Sequence, residues 1–201
     1  MYQGIETKVL TNEVRLSYAH LSTPYKNPKM PTAKERYSVT LLIPKTDTAT
    51  KADIDSSIKA AYEQGVAKKW DGARPQMINA LIYDGDGVRR DGTRFGDECK
   101  GCWVITAASD SKPQVVNIND APNFVELAPQ DVYSGMYARV TINFYPYDNG
   151  NKGVGCGLGN VLKTRDGEPL SGGASAASDF AGIVAPPTAG VQINPLTGQP
   201  M

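Results

Sequence analysis

The chain has 201 residues, 40% of them hydrophobic, which fits one domain with a modest core and some appendages. Lys plus Arg and Asp plus Glu number 21 each, but all the basic residues precede Asp166, so residues 1–165 carry +3 and residues 166–201 carry −3. No apolar run approaches the roughly 18 residues that span a bilayer, and three cysteines are too few for a disulfide framework. We therefore expect a cytoplasmic protein with no membrane partner, whose mildly basic body permits a polyanionic ligand.

The N-terminal third predicts two strands and a helix. Residues 13–21 alternate in polarity, and residues 36–44 are β-branched and aromatic up to Pro44. The intervening residues 22–35 hold three prolines and several cations, which predicts an extended, basic loop. Residues 46–70 predict the helix, which Asp47 or Thr50 can cap. Its apolar positions recur at helical spacing: Ile54, Ile58, Ala61, Tyr62 and Val66.

The rest of the chain predicts a β-barrel and a tail. Residues 71–100 are polar and rich in glycine, with no sustained periodicity. Strand patterns follow at 101–109, 114–118, 132–148 and 153–164. An Asp-Asn-Gly-Asn turn joins the last two into a hairpin. We predict a mainly β fold: a five-stranded, OB-fold-like antiparallel barrel with one α-helix after the second strand. It would occupy residues 1–165, and a flexible Gly/Ala/Ser/Pro-rich tail would occupy residues 166–201.

The last predicted strand has glycine at every second position. Gly153, Gly155, Gly157 and Gly159 would give it one face of bare backbone. Glycine weakens a strand, so this face needs a reason. It could let the strand coil and close a small barrel, or it could leave room for a base or a tyrosine ring to lie flat. We favour barrel closure as the primary cause.

Motifs for catalysis or metal binding are weak, and we expect neither an enzyme nor a cofactor. His20 is the one histidine, and the glycine strand lacks the Gly-Lys-Ser/Thr ending of a phosphate loop. Residues 84–92 do not offer the ligands of a calcium loop, because Val88 and Phe95 stand where oxygen ligands belong. Cys99 and Cys102 have the spacing of half a zinc site, which Cys156 and His20 would have to complete. Ordinary thiols are the simpler interpretation.

Aromatic and basic residues point instead to a nucleic-acid surface. One face of the strand 132–148 is core, and the other mixes tyrosines with polar and basic side chains, a composition that stacks bases and holds phosphates but also suits a plain polar face. Cations cluster on the first long loop and around the last hairpin, where OB-folds bind oligonucleotides. The candidate DNA-binding residues are Tyr133, Tyr137, Arg139, Tyr145, Tyr147, Lys152, Lys163, Arg165, Lys26, Lys29, Lys34, Arg36, Lys112 and Trp103. Trp103 is either a core residue or part of the stacking platform.

Several blocks of the sequence resemble the phage-encoded single-stranded-DNA-binding proteins. They include "RYSVTLLIPKTD", "AASDSKPQVVN", "SAASDF" and, most specifically, "VYSGMYARVTINFYPYDNGNKGVGCGLGNVLKTRDGEPL". The resemblance implies an OB-fold that binds single strands without strong sequence preference, as a homodimer, in phage replication or recombination. The matching positions of its basic, aromatic groove are Tyr133, Tyr137, Arg139, Tyr145, Lys152 and Arg165.

The leading hypothesis is therefore a non-enzymatic single-stranded-DNA-binding protein in the cytoplasm of an infected bacterium. Its protein partners would be a polymerase or a helicase, although the tail lacks the strongly acidic end through which many such proteins dock. The alternative is a structural or assembly protein of the virion with no nucleic-acid role. A small metal-dependent nuclease would need Asp84, Asp86 and Asp91 as its carboxylates and is the weakest of the three hypotheses.

Overall fold

The computed structural model describes residues 2–26, 32–76, 80–89 and 91–170. Lys29 and residues 171–201 of the predicted tail therefore lie outside the described residues. One helix, α1, runs over Thr48–Lys68. The strands are β1 (Lys8–Leu10), β2 (Val14–Tyr25), β3 (Arg36–Pro44), β4 (Ile82–Asp84), β5 (Cys102–Ser109), β6 (Val115–Asn117), β7 (Tyr137–Asn149) and β8 (Asn151–Arg165).

Five of these strands close a barrel. In the order β7-β2-β3-β5-β8 each pairs with the next, and β7 and β8 pair with each other to complete the ring. The pairing of β5 with β8 is parallel, with Ala108 opposite Gly157, whereas the other four pairings are antiparallel. The mainly β, OB-fold-like barrel is thus confirmed, with one parallel seam in place of an all-antiparallel ring.

Two short strands enlarge the predicted set. β1 adds to β7 and β4 adds to β5, and each has three residues, too few for a period-2 pattern to emerge from the sequence. β6 lies within the predicted strand 114–118 and adds to β8 in parallel. The helix consequently follows the third strand of the chain, which is the second strand of the barrel.

The barrel interior is filled by the apolar face of each strand. On β7, Ala138, Val140, Ile142 and Phe144 are buried, as their alternation predicts. The helix begins at Asp47, whose carboxylate accepts a hydrogen bond from the amide of Thr50 at 3.1 Å, and it packs Ile54 and Ala61 into the core. Trp70, just beyond the helix, is fully buried and donates to the carbonyl oxygen of Tyr147 at 3.0 Å. Helix and hairpin are thereby fixed to the same core.

Residues 166–170 lie against the barrel. The backbone amide of Leu170 donates to the carbonyl of Ser134 at 2.9 Å, and Arg15 donates to the carbonyl of Glu168 at 2.8 Å. Leu170 packs with a small cluster of buried residues around Leu42, Cys99 and Val104. The chain therefore leaves the described body beside the outer face of β5.

Candidate nucleic-acid interface

A bulge in β2 turns one tyrosine out of the barrel. Opposite β3, Ser17 pairs with Thr40 and His20 with Ser38, so β2 contains one extra residue between these pairs. Tyr18 lies at this point with φ of +47°, a left-handed conformation that is costly for any residue except glycine. The inside-outside alternation shifts by one, so Leu16 and Leu21 are both buried while Tyr18 is 61% exposed.

Tyr18 stands at the centre of a groove on the outer face of β2, β3 and β5. Three adjoining cavities of about 390, 900 and 320 Å³ share its ring as a wall. Thr40 and Thr106, on neighbouring strands, line two of them, and their hydroxyls lie 3.0 Å apart. The face of the second and third barrel strands is where OB-folds hold oligonucleotides. We call this surface the β2–β3–β5 groove.

Aromatic and basic side chains meet at one end of the groove. The His20 and Tyr25 rings stack at 4.2 Å, and Tyr25 lies opposite Arg36 across the β2–β3 pair. Burial lowers the pKa of His20, which keeps the imidazole neutral at neutral pH. Arg36 donates to Asp110 at 2.7 Å, and Lys34 pairs with the same carboxylate at 3.2 Å. Two cations therefore share one exposed carboxylate at this end.

Tyr145 extends this end of the groove onto β7. Burial opposes the charge on Arg36, but the Tyr145 hydroxyl and the Asp110 carboxylate together raise the pKa of its guanidinium. The Tyr145 ring is 37% exposed and lies over Gly155, its partner on β8. A ring with one open face beside an arginine is a suitable platform for a nucleobase and its phosphate.

The other end of the groove is built by the segment between β4 and β5. Phe95 packs against Tyr83 with ring centroids 6.1 Å apart, and the Arg89 guanidinium lies over the Phe95 ring at 4.6 Å. Arg94 lines the largest of the three groove cavities together with Tyr133. This end thus repeats the combination of rings and guanidinium groups found around Arg36.

The alternating glycines of β8 carry the rings of β7. A Cβ atom on Gly155 would lie 2.7 Å from Cζ of Tyr145, and one on Gly153 would lie 2.5 Å from the Tyr147 hydroxyl. Gly157 instead stands at the parallel seam with β5. A Cβ on Gly159 would approach the backbone carbonyl of Thr141 to 2.9 Å. Gly153 and Gly155 therefore leave room for tyrosine rings, whereas Gly157 and Gly159 lie where the backbone of a neighbouring strand is close.

Several of the predicted tyrosines and cations form a separate cluster around the end of β8. Arg165 lies over the Tyr137 ring at 3.4 Å and pairs with Glu13 at 2.9 Å. Lys163 is buried and pairs with Asp166 at 2.8 Å. The Tyr133 hydroxyl also contacts Asp166, at 2.8 Å. These groups hold one another, although Tyr133 also lines the groove.

The structure spreads the remaining predicted residues around the barrel. Arg139 donates to the carbonyl of Thr11 at 3.0 Å, and Lys112 pairs with Glu126 at 2.6 Å. Trp103 packs against the core beneath the ammonium groups of Lys45 and Lys51, on the opposite side of β5 from Thr106. Lys26 follows the end of β2, and Lys152 and Tyr147 lie near the tip of the last hairpin. Of the predicted set, Lys34, Arg36, Tyr145 and Tyr133 adjoin the groove.

Comparison with known proteins places this architecture in a family. Residues 7–188 match the sequence model of the single-stranded-DNA-binding protein of Enterobacter phage Enc34. Protein p50 of Acyrthosiphon pisum secondary endosymbiont phage 1 is 32% identical over 181 residues, which cover 85% of this chain and 90% of that protein. The chain belongs to the Enc34 single-stranded-DNA-binding protein family.

Solved structures agree with this assignment. The Enc34 protein in complex with single-stranded DNA superposes with a TM-score of 0.68 at 30% identity, covering 82% of this chain and 90% of that one. The single-stranded-DNA-binding protein gp2.5 of bacteriophage T7 gives a TM-score of 0.55 at 17% identity, covering 90% and 96%. At this identity, the likeness to gp2.5 shows a shared fold.

The spacing of Cys99 and Cys102 is not completed into a metal site within the described part of this Enc34-family chain. Burial raises the pKa of Cys99 to about 11 and that of Cys156 to about 12, so both are protonated thiols at neutral pH. Within the described part of the chain, no three His, Cys, Asp or Glu side chains are grouped to hold a metal ion. The same residues include no helix long and apolar enough to cross a membrane.

Sequence reasoning missed the residues at the centre of the groove. Tyr18 follows the alternation of its strand in the sequence, so the pattern assigns it to the face of Leu16. Nothing in the residue types signals the bulge. Arg89, Arg94 and Phe95 fall in a segment without periodicity, where one aromatic residue among several arginines was the available signal.

Proposed function

We propose that this protein binds single-stranded DNA in the β2–β3–β5 groove, without strong sequence preference. The observation that carries the proposal is Tyr18, which the bulge turns outward at the junction of three cavities. Left-handed backbone at a tyrosine has a conformational cost, and such strain is concentrated at binding sites. Membership of the Enc34 family supports the nature of the ligand.

In this proposal, exposed rings stack the bases and guanidinium groups hold the phosphates. Tyr18 and Tyr25 are 61% and 45% exposed, and Tyr145 continues the row onto β7. Stacking on an aromatic ring contributes about 1–3 kcal/mol per base and tolerates any base, because every base has a π face. Arg36 and Arg94 stand at opposite ends of the row and would contact the backbone of the strand.

The biological setting is part of the same proposal. The protein would act without catalysis in phage DNA replication or recombination, in the cytoplasm of the infected bacterium. It would do so as a homodimer and in contact with replication proteins. Family membership supports the phage setting and the single-stranded-DNA ligand, and sedimentation of the purified protein tests the dimer.

A fluorescence titration of labelled oligo-dT tests the binding proposal. Affinity should fall steeply between low and moderate salt, because cations that neutralise phosphates release counterions. Tyr18→Ala should weaken binding by about 1–3 kcal/mol, the value of one stacked base. Phe124→Ala is the matched control, because Phe124 is also an exposed ring, at 50%, but lines none of the three cavities. No binding at low salt, or equal affinities for the two variants, would overturn the proposal.

A further inference from the structure

The least open of the three groove cavities has the dimensions of a site for one nucleoside. It is the cavity of about 390 Å³ beside Tyr18, within the range of small-ligand pockets. Its floor is apolar, since Val104 and Cys99 are buried there. Tyr83 and Phe95 form one wall and Tyr18 another. A base stacked along the open groove does not require such a recess.

Two charged side chains line the same cavity. The Arg89 guanidinium is held over the Phe95 ring at 4.6 Å, and its Nη1 donates to the carbonyl of Arg94. Asp91 Oδ1 accepts from both the amide and the hydroxyl of Thr93, at 3.0 and 2.6 Å. These contacts occupy Nη1 of Arg89 and Oδ1 of Asp91. Among the described residues, Oδ2 of Asp91 and Nη2 of Arg89 take part in none of these contacts.

The ionisation of Asp91 makes it an acceptor only. Hydrogen bonds from Thr93 lower the pKa of its carboxyl, and the charge of Arg89 lowers it further. The cavity therefore offers donors from a guanidinium and acceptors from a carboxylate two residues away. A ligand that satisfies both needs an acceptor edge next to a donor edge.

Guanine is the base that can satisfy both groups with paired hydrogen bonds. Its N7 and O6 accept a forked pair of hydrogen bonds from arginine, and its N1–H and N2–H₂ groups adjoin them as donors. Adenine offers one acceptor and one donor group there, N7 and its amino group, cytosine presents one donor group, its amino group, to a carboxylate, and thymine has no amino group. A cavity of about 390 Å³ with rings on two sides completes the match.

We propose that this cavity receives one base turned out of the bound strand and that Arg89 and Asp91 select guanine there. The inference rests on the proposed binding of single-stranded DNA in the groove. It adds one base-selective subsite to a surface that otherwise accepts any sequence. Phe95 and Tyr18 hold the base by stacking, while Arg89 and Asp91 read its edge.

Competition with oligonucleotides that differ at one position tests the subsite. Unlabelled oligo-dT of fixed length, either unmodified or with a single central dG, dC or dA, displaces a labelled oligo-dT from the full chain. A single guanine cannot form a quadruplex within one strand, so base identity is the one variable. We expect the dG oligonucleotide to compete about tenfold better than the other three, the scale of one bidentate base contact.

Two conservative variants and one control separate selection from general affinity. Arg89→Lys keeps the charge but loses the planar fork, and Asp91→Asn removes the anionic acceptor. Each should abolish the guanine preference while the variant still binds oligo-dT. Arg94→Lys, which changes an arginine outside this cavity, should keep the preference.

The outcomes distinguish this inference from the proposed function. If oligo-dT binds but a central dG gives no advantage, the subsite is overturned and the groove stands. A guanine preference that survives both Arg89→Lys and Asp91→Asn overturns the assigned residues. Absence of binding to any oligonucleotide overturns the groove and the subsite together.

Discussion

At the scale of single residues, the proposed interface depends on a tyrosine in an unfavourable backbone conformation. Tyr18 has φ of +47° and is the extra residue of the β2 bulge. The Tyr18 ring is exposed outside the barrel, so burial of the ring does not offset the cost of its backbone conformation. A small domain is stable by only about 5–15 kcal/mol, which makes a cost of about 1 kcal/mol noticeable.

Glycine at position 18 should separate stability from binding. Tyr18→Gly and Tyr18→Ala both remove the ring and should weaken oligo-dT binding to the same extent. Glycine adopts the left-handed region freely whereas alanine does not, so the glycine variant should unfold at higher denaturant, by roughly 1 kcal/mol. Urea denaturation followed by circular dichroism checks this. An alanine variant as stable as the glycine variant would contradict the strain assigned to Tyr18.

Asp110 is a second residue whose effect has a defined sign. It pairs with both Lys34 and Arg36, and these cations lower the pKa of its carboxyl. In the proposed complex, a phosphate competes with this carboxylate for Arg36. Asp110→Asn should therefore strengthen oligo-dT binding several-fold at low salt, with little effect on stability because the pair is exposed.

Asp55→Asn provides the matched control. Asp55 pairs with Lys51 on the helix, is as exposed as Asp110, and gives the same change in net charge. If affinity rises equally in both variants, general charge accounts for the effect and the position of Asp110 does not.

At the scale of elements, β7 and β8 show where sequence patterns succeed and where they fail. The alternation of β7 predicts its buried face correctly because the extra residues at the two register shifts of the β7–β8 pair lie on β8, which leaves the alternation of β7 intact. On β2 the alternation fails after Ser17, since a bulge is a feature of pairing and leaves no mark on residue types. The segment between β4 and β5 forms one end of the groove through packing of Phe95 on Tyr83, which no local period encodes.

Substitutions of two glycines in β8 should have different effects: one should weaken DNA binding and the other should lower the stability of the fold. Gly155→Val places its side chain against the ring of Tyr145, which can swing away, so the barrel should fold but bind oligo-dT less tightly. Gly159→Val meets the backbone of Thr141, which cannot move, so it should lower the free energy of unfolding by about 1–3 kcal/mol. Thermal unfolding and oligo-dT titration of both variants measure the two effects. Equal losses of stability would contradict the division of roles along β8.

At the scale of the whole molecule, the barrel divides its surface into two parts. The β2–β3–β5 groove holds Tyr18, Tyr25 and the guanidinium groups of Arg36 and Arg89. On the opposite side of β5, Trp103 lies beneath the ammonium groups of Lys45 and Lys51, and Lys51 belongs to the helix. The sequence predicts a mildly basic body with tyrosines on its strands, but only the closed ring of strands decides which rings share a face.

Photo-crosslinking measures directly which face the DNA occupies. An oligo-dT that carries 5-bromodeoxyuridine at successive positions is irradiated with the protein, and the crosslinked peptides are identified by mass spectrometry. We predict crosslinks to Tyr18, Tyr25 and Phe95, and none to Trp103, which is also aromatic but lies outside the groove. Crosslinks confined to Trp103, or to Tyr137 beneath Arg165, would contradict the assignment of the β2–β3–β5 groove as the DNA-binding surface.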